Sequence, residues 1–144
     1  MIVLKFGSSL FNIEDNLRRI KSVIDSIDDD AIIVVPKEHV KPLLEVTPNL
    51  RKVTPGECLA GHREALLPHG GKLIVPGIIP DGFAASELTD LEVGAPDYLA
   101  SLIAASNDAQ RLEIWTDMEG FMTADPRSVK TAYLIKEMSY REAM

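Results

Sequence analysis

LEIWTDMEGFMTADPR, residues Leu112 to Arg127, opens with a short apolar run whose β-branched and aromatic content suits a strand. Thr116-Asp117 stops that run with two short polar side chains. Glu119-Gly120 then supplies a turn, Phe121-Met122-Thr123 resumes an extended pattern, and Asp125-Pro126 punctuates again. A strand that ends in Thr-Asp beside a glycine turn puts side-chain oxygens and free backbone at the edge of a sheet. In open α/β sheets, ligands bind outside the carboxyl ends of the strands. Spacing alone fits both that arrangement and a hairpin built from ordinary turn residues.

At the other end of the chain, Ile2 to Phe6 is a short apolar strand interrupted only by Lys5, and Gly7-Ser8-Ser9 follows at once. A glycine there lets backbone N–H groups approach an anion, and a lysine just before it reaches phosphate oxygens. An edge-strand lysine followed by a plain turn is the other reading of the same residues. Leu10, Ile13, Leu17, Ile20, Ile24 and Ile27 recur at three- and four-residue spacing, which predicts one long amphipathic helix. Asp28-Asp29-Asp30 reads as a solvated turn, and Ala31 to Val35 as a fully apolar, buried parallel strand. Together these make one βαβ unit.

The two ends point the same way. WTDMEGFMTADPR, followed by Val129, Ala132, Ile135 and SYREA, resembles the nucleotide-binding segment of aspartate kinases, in the amino acid kinase family. The pattern there is a strand ending in TD, a DG turn, a TADPR loop and a closing ISYEEA. VLKFGSSL independently resembles the first strand and glycine loop of the same family, KFGGSS or KFGGTS. The resemblance implies a three-layer α/β/α sandwich with a mostly parallel central sheet, reduced in size and compact over residues 1–144, with no regulatory domain. It implies ATP and Mg2+ as cofactors and L-aspartate or a similar small acid as the second ligand. Lys5 would contact the transferred phosphate. Gly7, Ser8, Ser9, Thr116, Asp117, Gly120, Asp125 and Arg127 would contribute to the nucleotide site. No residue is assigned to a metal, and a homo-oligomer is compatible with the fold.

The middle of the chain carries shorter likenesses. GECLAGHREALL, from Gly56 to Leu67, leads into an expected helix through Leu67 and is similar to the family's GE motif, which places Glu57 against the amino group of a bound amino acid. A glutamate complementing a helix dipole is the other reading. Pro76-Gly77-Ile78-Ile79 resembles VPVVPGFI at the border of the substrate cleft. Val93-Gly94-Ala95-Pro96-Asp97 aligns with RGGSD, so Asp97 would share the catalytic site with Lys5, while Val93 stands where an arginine grips the substrate carboxylate. Asp97 also reads as a helix N-cap, with a helix expected over Tyr98 to Ala105. Pro36-Lys37-Glu38-His39 replaces the serine and small residues that end the second strand in aspartate kinases. His39, His62 and His69 have no partner at metal-ligand spacing, and Cys58 reads as a buried structural thiol. Ser139 and Glu142 form the pattern of a capping box.

Composition narrows the classes. A chain of 144 residues, 46% hydrophobic and 26% charged, has ordinary globular content and can bury a core. A net charge of −7 argues against nucleic acid as partner. No apolar stretch approaches the ~20 residues that span a bilayer, and a single cysteine suits a reducing cytoplasm. Three readings follow: a minimal aspartate kinase making 4-phospho-aspartate, a catalytically degenerate nucleotide- or small-acid-binding relative or partner subunit, and a kinase of this fold with another acceptor. Ser8, Val93 and Tyr133, each standing where the family has a glycine or a basic residue, favour the second over the first.

Overall fold

The computed structural model describes residues 1–13, 15–82 and 94–143. Val93 and its expected role therefore lie outside the described residues. In chain order the elements are β1 (Ile2–Phe6), α1 (Ser8–Phe11), α2 (Asn16–Asp25), β2 (Ala31–Val35), a 3-10 turn (Lys37–His39) and α3 (Val40–Val46). They continue with β3 (Arg51–Lys52), α4 (Pro55–Leu59), α5 (Arg63–Leu66), β4 (Lys72–Pro76), α6 (Ala95–Ser106), β5 (Leu112–Trp115) and α7 (Tyr140–Ala143).

The strands form one sheet in the order β3-β4-β2-β1-β5, with every neighbouring pair parallel. A parallel sheet is covered on both faces, so its central strands have no polar side to show. β1 and β2 are accordingly buried at every position. Alternation then divides each strand between two cores. Ile2, Leu4 and Phe6 turn one way, onto Ile20 and Ile24 of α2 and Leu43 of α3. Val3, Val34 and Val75 turn the other way, onto Leu99, Ala100 and Ile103 of α6 and Cys58 of α4. Each such buried aliphatic contributes about 1.5–3 kcal/mol relative to exposure. The expected α/β/α layering is what these two cores build.

Two expected helices are each broken in two. The stripe from Leu10 to Ile27 is interrupted between α1 and α2, where Asp15 takes a left-handed φ of 66°. The Asn16 side-chain amide donates to the Leu10 carbonyl at 2.9 Å and ties the break together. Short polar side chains such as these compete with helical hydrogen bonds. Both pieces still present Leu10, Phe11, Ile20 and Ile24 to the sheet, so the stripe survives the break. The helix from Gly56 to Leu67 likewise becomes α4 and α5, separated at Gly61, whose φ is +69° and where a Cβ would lie 2.9 Å from the Ser106 carbonyl oxygen. Pro42 sits in the first turn of α3, where a missing N–H costs no hydrogen bond. The edge strand β3 has no counterpart in the sequence reading.

Candidate functional site

The alternation on β1 sends Lys5 to the same face as Val3, toward α6. There Lys5 is only 8% exposed, and a buried ammonium is costly unless paired. Its Nζ lies 2.7 Å from Asp97 Oδ2. Asp97 is inside the first turn of α6, which begins after Gly94 as N-cap, so it is not the cap that its position suggested. The helix start is brought in by close packing against β4: a Cβ on Gly77 would sit 2.7 Å from Pro96 Cβ and 2.8 Å from its Cγ. Gly77 is thus a positional requirement for the Lys5–Asp97 pair. The likeness of Pro76-Gly77-Ile78-Ile79 to VPVVPGFI places this glycine at the cleft border, but its contact with Pro96 joins residues from separate elements and has no local signal.

Beside the pair, the loop after β1 is fastened to the end of β5. The Gly7 N–H donates to the Trp115 carbonyl at 3.0 Å. The Ser9 hydroxyl donates to Asp117 Oδ1 at 2.9 Å, and the Thr116 hydroxyl donates to the same oxygen at 3.1 Å. These contacts, the Ser9 hydroxyl foremost, hold the Asp117 carboxyl below its ordinary value, with Arg127 adding a weaker electrostatic pull. Lys5, Gly7, Ser9, Asp97, Thr116 and Asp117 therefore gather at the carboxyl ends of β1 and β5. Ser8 is exposed on α1.

The remaining nucleotide candidates follow on the exposed segment after β5. Gly120 has φ +139°, a backbone conformation that favours glycine, and a Cβ there would also push aside the Leu134 Cδ1 methyl at 2.8 Å. Past it, Met122 and Leu134 form an antiparallel bridge, with Ile135 N–H donating to the Phe121 carbonyl at 2.8 Å and Thr123 N–H to the Tyr133 carbonyl at 3.0 Å. Inside that small hairpin, Asp125 Oδ1 accepts from the Arg127 N–H at 2.9 Å and from its Nε at 3.3 Å.

Glu57 is engaged elsewhere. Its Oε2 accepts from the Thr54 N–H at 2.7 Å and the Thr54 hydroxyl at 2.6 Å, and Thr54 in turn caps α4. These bonds depress its pKa. Cys58 is buried, and desolvation pushes its thiol up to about 12, which suits the structural role expected of it. His39 stacks on Phe11 with ring centroids 4.2 Å apart. No cluster of His, Cys, Asp and Glu suited to a metal ion occurs among the described residues, and no helix there is long and apolar enough to cross a membrane.

Known proteins share part of this arrangement. Residues 60–144 match the model of the amino acid kinase family. The chain is 45% identical over 71 residues to a bifunctional aspartokinase/homoserine dehydrogenase of Buchnera aphidicola, a match covering 46% of this chain and 9% of that protein. It is 43% identical over 70 residues to the lysine-sensitive aspartokinase 3 of Escherichia coli, covering 46% and 16%. With an aspartokinase of Geobacillus stearothermophilus it shares 47% identity over 58 residues, covering 40% and 14%. The chain thus spans a small fraction of the length of these relatives. Asp97, Thr116, Asp117, Gly120, Asp125 and Arg127 fall within the span that the family matches, whereas Lys5 and Glu57 precede it. With more than half of its residues in that match and a parallel sheet between two helical layers, the chain belongs to the amino acid kinase family.

Proposed function

We propose that the carboxyl ends of β1 and β5 bind Mg-ATP and that the chain carries the phosphoryl-transfer machinery of an aspartate kinase. The observation that carries this reading is the nearly buried Lys5 ammonium paired at 2.7 Å with Asp97, beside the Ser9–Asp117 hydrogen bond. Phosphoryl transfer needs little covalent chemistry from a protein; it needs positioned phosphates and neutralised charge. Lys5 supplies the positive charge for the transferring group, and Asp97, paired with it at 2.7 Å, holds that ammonium in place. The Ser8 hydroxyl and the backbone beside Gly7 are donors of the kind phosphate oxygens accept, while the Ser9 hydroxyl, which donates to Asp117, fixes the loop beside them. Asp117, charged at neutral pH, and Arg127 complete the nucleotide side. Mg2+ would arrive on the phosphates.

The acceptor would be the side-chain carboxylate of L-aspartate. It is already ionised at neutral pH, so the reaction needs no general base from the protein: a carboxylate oxygen attacks the γ-phosphorus and ADP departs. Aspartokinase similarity across the matched half supports this acceptor class, and a cytoplasmic location accords with it.

A second reading, nucleotide or small-acid binding without turnover, is favoured by Glu57. Its carboxylate is committed to Thr54 rather than offered to an amino group. The test is thermal stability in Mg-ATP alone and then with L-aspartate, since a ligand selective for the folded state raises the melting point. An ATP shift that grows with aspartate supports the kinase, an ATP shift alone supports the binder, and no shift rejects both. Lys5→Ala should erase the ATP shift.

A further inference from the structure

α1 is a single turn, Ser8–Phe11, that begins with Ser8 and Ser9. A helix this short closes too few hydrogen bonds to stand alone. No side chain caps its start, and none of its residues is fully buried. Its position is therefore set by what grips its two ends. Gly7 on the Trp115 carbonyl and Ser9 on Asp117 hold the leading end. The trailing end is held by the Asn16 amide on the Leu10 carbonyl and by the Phe11 ring, which lies on the His39 imidazole. Those rings are 7° from parallel with centroids 4.2 Å apart. His39 gives the stack a firm base: its N–H donates to the Pro36 carbonyl at 2.9 Å, and it leads directly into α3, whose Val40 and Leu43 are buried. The 3-10 turn that carries it follows β2, the strand next to β1, so the stack joins neighbouring strand ends. His39 also ends Pro36-Lys37-Glu38-His39, where this chain departs from the aspartate kinase pattern.

We propose that His39 is a positioning residue: stacked on Phe11, it fixes the far end of α1 and thereby keeps Ser9 bonded to Asp117. The loop it steadies lies against the buried ammonium, since a Cβ on Gly7 would stand 3.5 Å from Lys5 Nζ. The consequence for nucleotide binding rests on the site proposed above; the placement of Ser9 does not.

The test follows the Asp117 carboxyl by carbon NMR in the absence of nucleotide. In His39→Ala its titration should move up toward the ordinary 3.8, because a loosened α1 carries the Ser9 hydroxyl away. His39→Phe keeps a ring in the stack and should restore the native titration. Phe11→Leu removes the stack from the α1 side and should give the same movement, which keeps the test open if His39→Ala fails to fold. Leu66→Ala costs stability in the opposite core and should leave Asp117 unmoved. With Mg-ATP added, the sole tryptophan, Trp115, reports binding by its fluorescence, and His39→Ala should weaken that binding by about threefold to tenfold. An Asp117 titration unmoved in both stack variants overturns the proposal, as does an equal movement in Leu66→Ala. A moved titration in a chain that binds no Mg-ATP supports the positioning role and rejects the nucleotide site, so the two can fail separately.

Discussion

The sheet's centre and the chain beyond β5 are held by different physics. Ile2, Ile32, Ile33, Ile74, Leu99 and Ile103 have essentially no exposed surface, and apolar burial on two faces secures the strands around them. From residue 112 onward the proportions reverse: Phe121 is 66% exposed, Tyr133 69% and Tyr140 95%. That segment takes its shape from local polar contacts and turns. Examples are the Asp125–Arg127 bonds, the bridge between Met122 and Leu134, and the reciprocal Ser139–Glu142 cap. The motif that most resembles aspartate kinases thus lies where burial contributes least, whereas Lys5 is fixed within the region where burial contributes most. A site drawn from both regions has a rigid half and a half that depends on turn chemistry.

The largest contrast should come from paired truncations. Leu99→Ala in α6 should destabilise the fold by about 2–5 kcal/mol, while Phe121→Ser should change it by less than about 0.5 kcal/mol, both read from urea unfolding midpoints. Comparable losses would abolish the distinction between the two regions. Next in size is Asp97→Ala, which leaves the Lys5 ammonium buried without its partner. Because Asp97 is itself 40% exposed, water relieves part of the penalty, and about 1–3 kcal/mol is expected. Lys5→Met in that background should recover much of the loss; no recovery would mean that Asp97 stabilises α6 rather than the lysine.

The smallest effect is acidic. Glu57, Asp117, Asp125 and Glu142 all have depressed pKa values, each chiefly through hydrogen bonds to Thr54, Ser9, Arg127 and Ser139 in turn. A group whose folded pKa lies below its unfolded one stabilises above the unfolded value and loses that contribution as pH falls through the folded value. Their shared contribution should therefore be complete above the ordinary glutamate value of 4.5 and fade below it. Ser9→Ala should remove the largest share of the Asp117 part, bringing its carboxyl titration, followed by carbon NMR, closer to the ordinary 3.8. A titration unmoved by that change would separate Ser9 from Asp117 in solution.

Much of this was legible in the residues. Uniformly apolar β1 and β2 announced buried parallel strands, since only a sheet covered on both faces permits such runs. Thr116-Asp117, Gly120 and the Ser139–Glu142 pattern announced strand end, turn and cap, because short-range hydrogen bonds and backbone sterics act between near neighbours. The helix breaks at Asp15 and Gly61 were not legible, since apolar spacing continues through them while the hydrogen bonding does not.

By itself, then, the sequence determined the opening βαβ unit with its parallel strands and the turn chemistry after β5, consequences of local period and propensity, while its family resemblance implied the three-layer architecture. Only the tertiary structure decided that Lys5 faces Asp97 rather than α2, that Gly77 admits Pro96, that Glu57 spends its carboxylate on Thr54, and that His39 stacks on Phe11. Each of those depends on which faces of distant elements are pressed together, and close packing between elements has no signature in the order of residues along one of them.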